Sequence, residues 1–571
     1  MTRRDFLKGC GMAAGAAAAG LPVLRAAGAA SAGKSDAQPG SSARTFFAVP
    51  HSHIDVEWYW TFETTRKWTA DILGKALALL RRDPDYRFTQ DQVVLVKSYW
   101  EGLGAEDRAF FKRMVGEGRL AIVGGMQVQP EVAEPAGESL VRQILLGQQW
   151  LETTLGVRSR CGWFIDTFGQ VPQIPQILRL AGYDAYVFWR DIPPDYAIES
   201  LPADFWCEAP DGTRILTHWL AGGYSFGSQV LREAVKHSRT ENVLVPYGSD
   251  VSRPTADSGA IRRDVTTRLG NLDLPAGPVR VATAPEYFEA LRRVAGRLPV
   301  VRLDFNPPQR AQDLRGTYDN RIELKKRSRA AGRALYSAEC LAAIASAAGH
   351  AYPAAALREL WGKLLFTHFH DVIGGSHSDP VYVGAMGRLE AVLTQTEALS
   401  AASLRQIVPG GDGTGEWLVA FNTLSVPRSE LCRVRMPSTG SAGIPAGLGQ
   451  LKQEAGKDAG APGKACDDLR LEDAAGRGVA FRVVDSPGPG SPSTEAAIEF
   501  IAEDVPATGY RAYRLVRGAR RPRSPRGRLG TNFLESEYFR LEWDLRTGDL
   551  TALRDKRRGQ EVLRSSEVEQ P

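Results

Sequence analysis

The sequence predicts an α/β protein in which strands and helices first alternate, then give way to helices alone, and finally to short strands. Three stretches carry that reading. Between Phe46 and about Val301, apolar runs of strand length recur at Phe46–Val49, Leu120–Val123, Trp163–Ile165, Ala185–Trp189, Ile215–Trp219 and Val279–Ala282. Helix-like segments such as Asp71–Arg82, Glu138–Leu155 and Pro172–Ala181 lie between them. Such alternation argues for parallel strands joined by helical crossovers, in an open sheet or a barrel. From about Tyr318 to Arg405 the pattern is helical throughout, in Arg321–Ala347, Ala354–Thr367 and Val381–Leu404. The first of these is rich in Ala, Leu, Glu, Lys and Arg and lacks Pro, which favours a long helix. Beyond Gly410 short alternating runs appear at Glu416–Asn422, Ala497–Ile501 and Tyr538–Asp544, with a hairpin-like turn at Arg546-Thr547-Gly548-Asp549. That combination reads as a β-sandwich.

Residues 1–32 read as a twin-arginine signal peptide. Thr2-Arg3-Arg4-Asp5-Phe6-Leu7-Lys8 precedes the weakly apolar run GMAAGAAAAGLPVL, and small residues follow at Ala30-Ser31-Ala32,. A membrane anchor needs roughly 20 apolar residues, and this run is shorter and rich in Ala and Gly, so no stable anchor is expected. Cys10 precedes the apolar run, which argues against a lipoprotein cleavage site. The expectation is export by the twin-arginine route to the periplasm or beyond, of a chain that folds before crossing. Residues 33–43 form a linker rich in Gly, Ser, Ala and Pro.

Five of the 6 cysteines lie beyond that segment, at Cys161, Cys207, Cys340, Cys432 and Cys466, without C-x-x-C spacing. This excludes a disulfide scaffold and a thiolate zinc site, and leaves room for one or two bridges. The net charge of +5 is small for 571 residues and gathers in Arg511–Arg528. Pro and Gly interrupt those arginines and no aromatic platform accompanies them, so the run reads as a solvated connection and no nucleic-acid partner is expected.

The chemistry gathers at three places. HSHIDVEW (residues 51–58) follows the run ended by Pro50, and His53 and Asp55 alternate along extended chain, so both side chains leave on one face,. An imidazole and a carboxylate at a strand end make half of a divalent-metal site. Asp166 ends a second apolar run in WFIDTFG, and His368-Phe369-His370-Asp371 opens the Gly-rich loop VIGGSHSDP. Of only 8 histidines, five (His51, His53, His368, His370 and His377) fall in these stretches, and packing alone does not account for that concentration. A metal site does.

In this order and at these separations, HSHIDVEW, GWFIDTFGQ and HFHDVIGG resemble the signature stretches of glycoside hydrolase family 38, the α-mannosidases. GRLAIVGGMQVQPEVAEPAGESLVRQ and RGTYDNRIELKKRSRAAGRALYSAE resemble that family too. The resemblance implies a seven-stranded β/α barrel over 44–310 with the site at the strand ends. It also implies a three-helix middle domain over 311–408 and a β-sandwich region over 409–571 that is partial, shortened relative to the family. One Zn2+ per chain is implied, held by His53, Asp55, Asp166 and His370, and the same ligands suit cobalt. Asp166 matches the nucleophile of a retaining mechanism, which places a second carboxyl about 5 Å away as acid/base. Asp250, in VPYGSD, is the acid/base candidate; it departs from the family's double-aspartate form through Ser249, and Asp257 competes. Trp58 and Phe168 match walls of the sugar subsite. Arg190 matches an arginine that lowers the nucleophile's pKa, and Asp371 an acid that hydrogen-bonds sugar hydroxyls. His51 and His368 are expected to support the ligands, and His377 to lie in a flexible loop.

The implied activity is metal-dependent hydrolysis of α-mannosidic bonds, on an α-mannoside or a mannose-containing glycan. One alternative is a metal-dependent polysaccharide deacetylase, which needs an H-x-x-x-H pair that the chain lacks. The other is a catalytically weak carbohydrate-binding fragment.

Overall fold

The computed structural model describes residues 44–190, 201–302, 315–408, 416–435, 469–485, 496–517 and 528–563. The signal segment, the linker, Cys466 and part of the arginine run lie outside them. Two compact units divide the chain, Met1–Ala401 and Ala402–Pro571.

Among its described residues the first unit has ten strands: β1 (Thr45–Pro50), β2 (Phe88–Gln90), β3 (Leu120–Ile122), β4 (Cys161–Phe164), β5 (Ala185–Phe188), β6 (Asp204–Glu208), β7 (Arg214–Trp219), β8 (Asn242–Tyr247), β9 (Val279–Val281) and β10 (Val300–Val301). β1 shows why these segments are strands. Phe46 and Ala48 enter one core cluster while Phe47 and Val49 enter another. A strand buried on both faces needs a continuous apolar run, the mark of a parallel sheet covered on both sides. Each of the Phe and Val side chains contributes about 1.5–3 kcal/mol by burial.

The ladders do not close into the expected seven-stranded barrel. They form three groups among the described residues, in the orders β8-β1-β9, β2-β3 and β10-β6-β7-β5-β4. Nearly all pairs are parallel, but β6 runs antiparallel to β7. β6 therefore occupies one edge of β7 and β5 the other, so β8 has no edge of β7 to join. At the site end, single contacts link the groups: a His51–Thr89 bridge joins β1 to β2, and the Gly124 amide donates to the Cys161 carbonyl (2.8 Å) from β3 to β4. Gly125 turns there with φ 62°, and an added Cβ would lie 2.6–2.7 Å from Gln148, Ser159 and Tyr183. Only glycine fits that turn.

The helix after β1 spans Phe62–Arg82, nine residues more at its start than the apolar pattern predicts, because its first turns carry polar side chains. Gly137–Trp150 continues as a π turn over Leu151–Leu155 and stops at Gly156, φ 76°. Beyond residue 315 come helices Ile322–Ala347, Ala354–Phe366, the short His370–Gly374, and Asp379–Ile407. Two ion pairs, one buried and one partly exposed at its arginine, tie these helices to the strand part. Arg142 forms a two-pronged pair with Glu339 (3.1 and 2.5 Å) and lies 4.5 Å above the Trp361 ring. Arg388 forms another with Glu57 (both 2.8 Å), directly behind the HSHID strand end.

In the second unit, strands Glu416–Asn422, Gly509–Arg517, Leu469–Asp473 and Gly478–Val479 form one antiparallel sheet. Arg428–Arg435, Ala496–Val505 and Phe481–Asp485 form another. Leu469, Leu471, Ile498, Phe500, Tyr513 and Leu515 make one core from both sheets. A five-stranded antiparallel sheet follows over 528–561, with Arg546–Asp549 turning between two of its strands. The arginines from Arg511 to Arg517 belong to a strand rather than a connection. Cys161, Cys207 and Cys432 are free thiols.

Candidate functional site

β1 delivers its chemistry through the five residues beyond Pro50. The His53 amide donates to the Ser249 carbonyl (3.2 Å) and the Val251 amide to the His53 carbonyl (2.8 Å), so the strand end is locked to the loop after β8. In extended chain His53 and Asp55 then point the same way, and His53 Nε2 lies 3.0 Å from Asp55 Oδ1,. Asp166 leaves the end of β4 and places Oδ2 3.6 Å from His53 Nε2. His370 opens a helical turn, and its Nδ1 donates to the Gln129 carbonyl (3.0 Å). That bond turns Nε2 inward, 3.3 Å from Asp166 Oδ2 and 3.7 Å from Asp55 Oδ1.

The four predicted ligands thus meet. Their donor atoms lie within 4.8 Å of one another and all four residues are buried. Two imidazoles and two carboxylates match a divalent transition metal. His370 Nε2 is a buried nitrogen that no hydrogen bond satisfies, which is the state expected of a ligand atom awaiting an ion. The charges agree. Burial alone would lower the His53 pKa, but the Asp55 hydrogen bond and the Asp55, Asp166 and Asp91 charges outweigh it and raise it to about 9. His370 is raised likewise, against burial, by Asp166, Asp55 and Asp371.

The other predicted residues surround this cluster. Arg190 donates twice to Asp166 Oδ1 (2.8 and 2.6 Å). Against the cost of burial, His370, His53 and Arg190 hold the Asp166 carboxyl below its ordinary pKa. Phe168 sets its ring edge-on to His370, 5.3 Å between centroids. Asp371 accepts from Ser376 Oγ (2.6 Å), and burial raises its pKa to about 7 despite the His370 charge. Half-buried Trp58 donates from Nε1 to the Ser376 carbonyl (3.1 Å). Asp250 is exposed and pairs with the strand end through the His53–Asp250 bridge. Its competitor Asp257 caps the helix Ser258–Asn271, accepting from the Ala260 amide (2.8 Å).

His51 and His368 are buried, with pKa values lowered by desolvation to about 4 and about 3. His51 bonds the Tyr224 carbonyl and His368 the Ser328 hydroxyl. The flexible-loop expectation for His377 fails: it is buried, bonds the Asp371 carbonyl (2.9 Å) and stacks on Tyr382.

Four residues carry no mark in the sequence. Tyr224 donates to Asp250 Oδ1 (2.7 Å) with its ring 5.3 Å from His53, and so bridges acid candidate and ligand. Its phenol pKa is raised by burial, then by Asp166 and Asp250. Asp91, Gln92 and Gln129 lie buried behind the ligands. No spacing distinguishes any of them; only the turn-forming glycines of AGGYSFG lie near Tyr224.

Comparison with known proteins agrees with this site. Residues 43–307 match the family described as "Glycosyl hydrolases family 38 N-terminal domain", and 312–407 match "Alpha mannosidase middle domain". The chain is 31% identical over 423 residues to "Alpha-mannosidase 2C1" of Mus musculus, covering 70% of this chain and 38% of that protein. It is 29% identical over 366 residues to "Alpha-mannosidase" of Saccharomyces cerevisiae, covering 59% and 32%. An α-mannosidase structure from Enterococcus faecalis shares the fold at TM-score 0.72 and 23% identity, covering 91% of this chain and 61% of that one. The chain therefore spans less than half the length of these curated relatives.

Proposed function

The chain belongs to glycosyl hydrolase family 38, and from that membership we propose that it is a metal-dependent retaining hydrolase of α-mannosidic bonds. The observation that carries the reading is Asp166, a buried carboxylate that faces two imidazoles on one side and Arg190 on the other. His53, Asp55, Asp166 and His370 would hold one Zn2+, which as a Lewis acid supplies polarisation of sugar hydroxyls. Asp166 is the nucleophile, kept ionised by its neighbours, and attacks the anomeric carbon as the glycosidic C–O bond breaks. Asp250 gives its proton to the leaving oxygen and then takes one from the water that frees the sugar from Asp166. Trp58 and Phe168 present apolar faces to the ring, and Asp371 accepts from its hydroxyls.

The same reading assigns residues 44–310 to a seven-stranded catalytic barrel distorted by β6, 311–408 to a three-helix domain and 409–571 to a β-sandwich region. Residues 1–32 export the folded chain to the periplasm or beyond. The substrate is an α-mannoside or a mannose-containing glycan.

The test is release of nitrophenol from its α-mannoside by the purified chain, with metal analysis and the variant Asp166→Asn in parallel. One bound zinc and a fall of roughly 10³-fold or more in kcat for the variant are the expected results. Full activity of Asp166→Asn overturns the nucleophile assignment.

A further inference from the structure

The four ligands come from three segments far apart in the chain: 53–55, 166 and 370. Direct ladder pairing does not set their spacing, since β1 and β4 belong to different sheets. Two buried glutamines do connect them. Gln92 Nε2 donates to the carbonyl of Ile54 (2.9 Å), the residue between ligands His53 and Asp55. Its Oε1 accepts from the Gln129 amide (2.9 Å). Gln129 Oε1 in turn accepts from the backbone amide of Asp166 (2.8 Å), and the Gln129 carbonyl accepts from His370 Nδ1 (3.0 Å). Gln129 Nε2 donates to Asp91 Oδ2 (2.8 Å). Every link has one possible direction. A carbonyl and a carboxylate only accept and a backbone amide only donates, so both side-chain amides have a fixed orientation.

Burial makes the chain of bonds stiff. Gln92 and Gln129 are 2% and 3% exposed, so no water competes for these groups and a broken link leaves a polar atom unsatisfied. Gln92 also has φ 60°, a left-handed conformation that costs a non-glycine residue free energy and persists only where its surroundings demand it. The demand is visible. The amides of Val93 and Val94 bond the carbonyls of Met126 and Gln127 (both 2.9 Å), so the Gln92 turn is fastened along the segment that leads to Gln129.

We propose that Gln92 and Gln129 are positioning residues that set the spacing of the three ligand segments, so that metal affinity and coordination geometry depend on them although neither touches the ion. The inference rests on the metal-centre reading above. Gln129→Met and Gln92→Met keep side-chain volume and remove both side-chain hydrogen bonds of each residue. The full chain and these variants are titrated with zinc against a chelator, and loaded with cobalt(II) for its visible spectrum. Thermal unfolding of the metal-free forms is recorded beside them. The expected result, for variants folded at the titration temperature, is an affinity lower by on the order of 10- to 100-fold with an altered cobalt band, beside a lower metal-free melting temperature from the buried groups left unpaired. Wild-type affinity and an unchanged band in both variants overturn the proposal. Should the Met variants fail to fold, Gln129→Asn and Gln92→Asn decide by the same two readouts, because each keeps a neutral amide and shortens its reach by one methylene. A wild-type chain that binds neither ion removes the metal centre itself and the proposal with it, whereas metal-loaded but inactive wild type leaves the proposal standing and overturns only the hydrolase reading.

Discussion

The two sides of the site are built differently. On the ligand side the four ligands are buried, and bonds from outside the cluster hold the Asp166 side chain (Arg190), the His370 ring (the Gln129 carbonyl) and the backbone of the His53–Asp55 strand end (the loop after β8). On the acid side, Asp250 is exposed and its side chain is held by the Tyr224 hydroxyl. A metal site must be assembled before the ion arrives, because misplaced ligands lose affinity. An acid/base has to exchange protons with the leaving group and with water in turn, which solvent access helps. Under the proposed roles, rigidity and burial would follow the part of the reaction assigned to each side.

The largest expected effect lies on the ligand side. Asp55→Ala removes a carboxylate lying within 3.7 Å of both imidazoles, so metal should be lost and mannoside hydrolysis should fall to background, as read by metal content after gel filtration and by nitrophenol release. A variant that keeps one zinc would show that the remaining three residues suffice. Next comes the acid side. Asp250→Asn should lower kcat by about 10²–10⁴-fold with metal content unchanged, and that split between the two sides is the point of the experiment. Equal loss of metal in Asp250→Asn would erase the distinction.

The pH dependence of metal binding sharpens the comparison further. In the metal-free chain His53 is raised to about 9 and His370 is raised as well, so below pH 9 an incoming ion must displace protons. Apparent affinity should therefore rise with pH up to about 9, roughly tenfold per unit for each proton released. The sign for folding is opposite. A raised imidazole pKa stabilises the metal-free fold below its ordinary value near 6.5, and that contribution is lost as pH rises through about 9. Chelator competition at several pH values checks the first statement and metal-free melting curves check the second; affinity independent of pH would mean that the imidazoles are already neutral.

How much of this is legible in the sequence depends on whether a residue acts through its side-chain type or through its place. His53, Asp55 and Asp166 stand out as ionisable groups just past apolar runs and His370 as one of a histidine cluster, while the choice of these four as a ligand set comes from the resemblance to the family. Gln92 and Gln129 are not, since glutamine is common in loops and their bonds exist only once three distant segments have met. Closure of the sheet is illegible for a related reason. The apolar runs mark β7 but miss β6 (Asp204–Glu208) altogether, and this one antiparallel partner takes the edge of β7 that closure would need. The second unit is legible as alternating strands, yet the division into separate sheets depends on pairings that alternation leaves open.

Asp257 gives the smallest effect and the cleanest discrimination. Seven residues from Asp250, it is chemically the same and equally exposed, and sequence alone leaves it a competitor for the acid/base role. The structure engages it otherwise: its side chain accepts from the Ala260 amide at the start of the helix Ser258–Asn271, satisfying a donor that has no partner within the helix,. Asp257→Ala should therefore cost about 0.5–2 kcal/mol of stability, seen as a lower melting temperature, and leave kcat and its pH profile unchanged. Asp250→Asn should do the reverse, because its side-chain bond is to a single phenol and not to a helix terminus. If Asp257→Ala instead lowered kcat as far as Asp250→Asn, the acid would lie one turn further along the loop, and the exposed arm of the site would have to be redrawn around the helix that Asp257 caps.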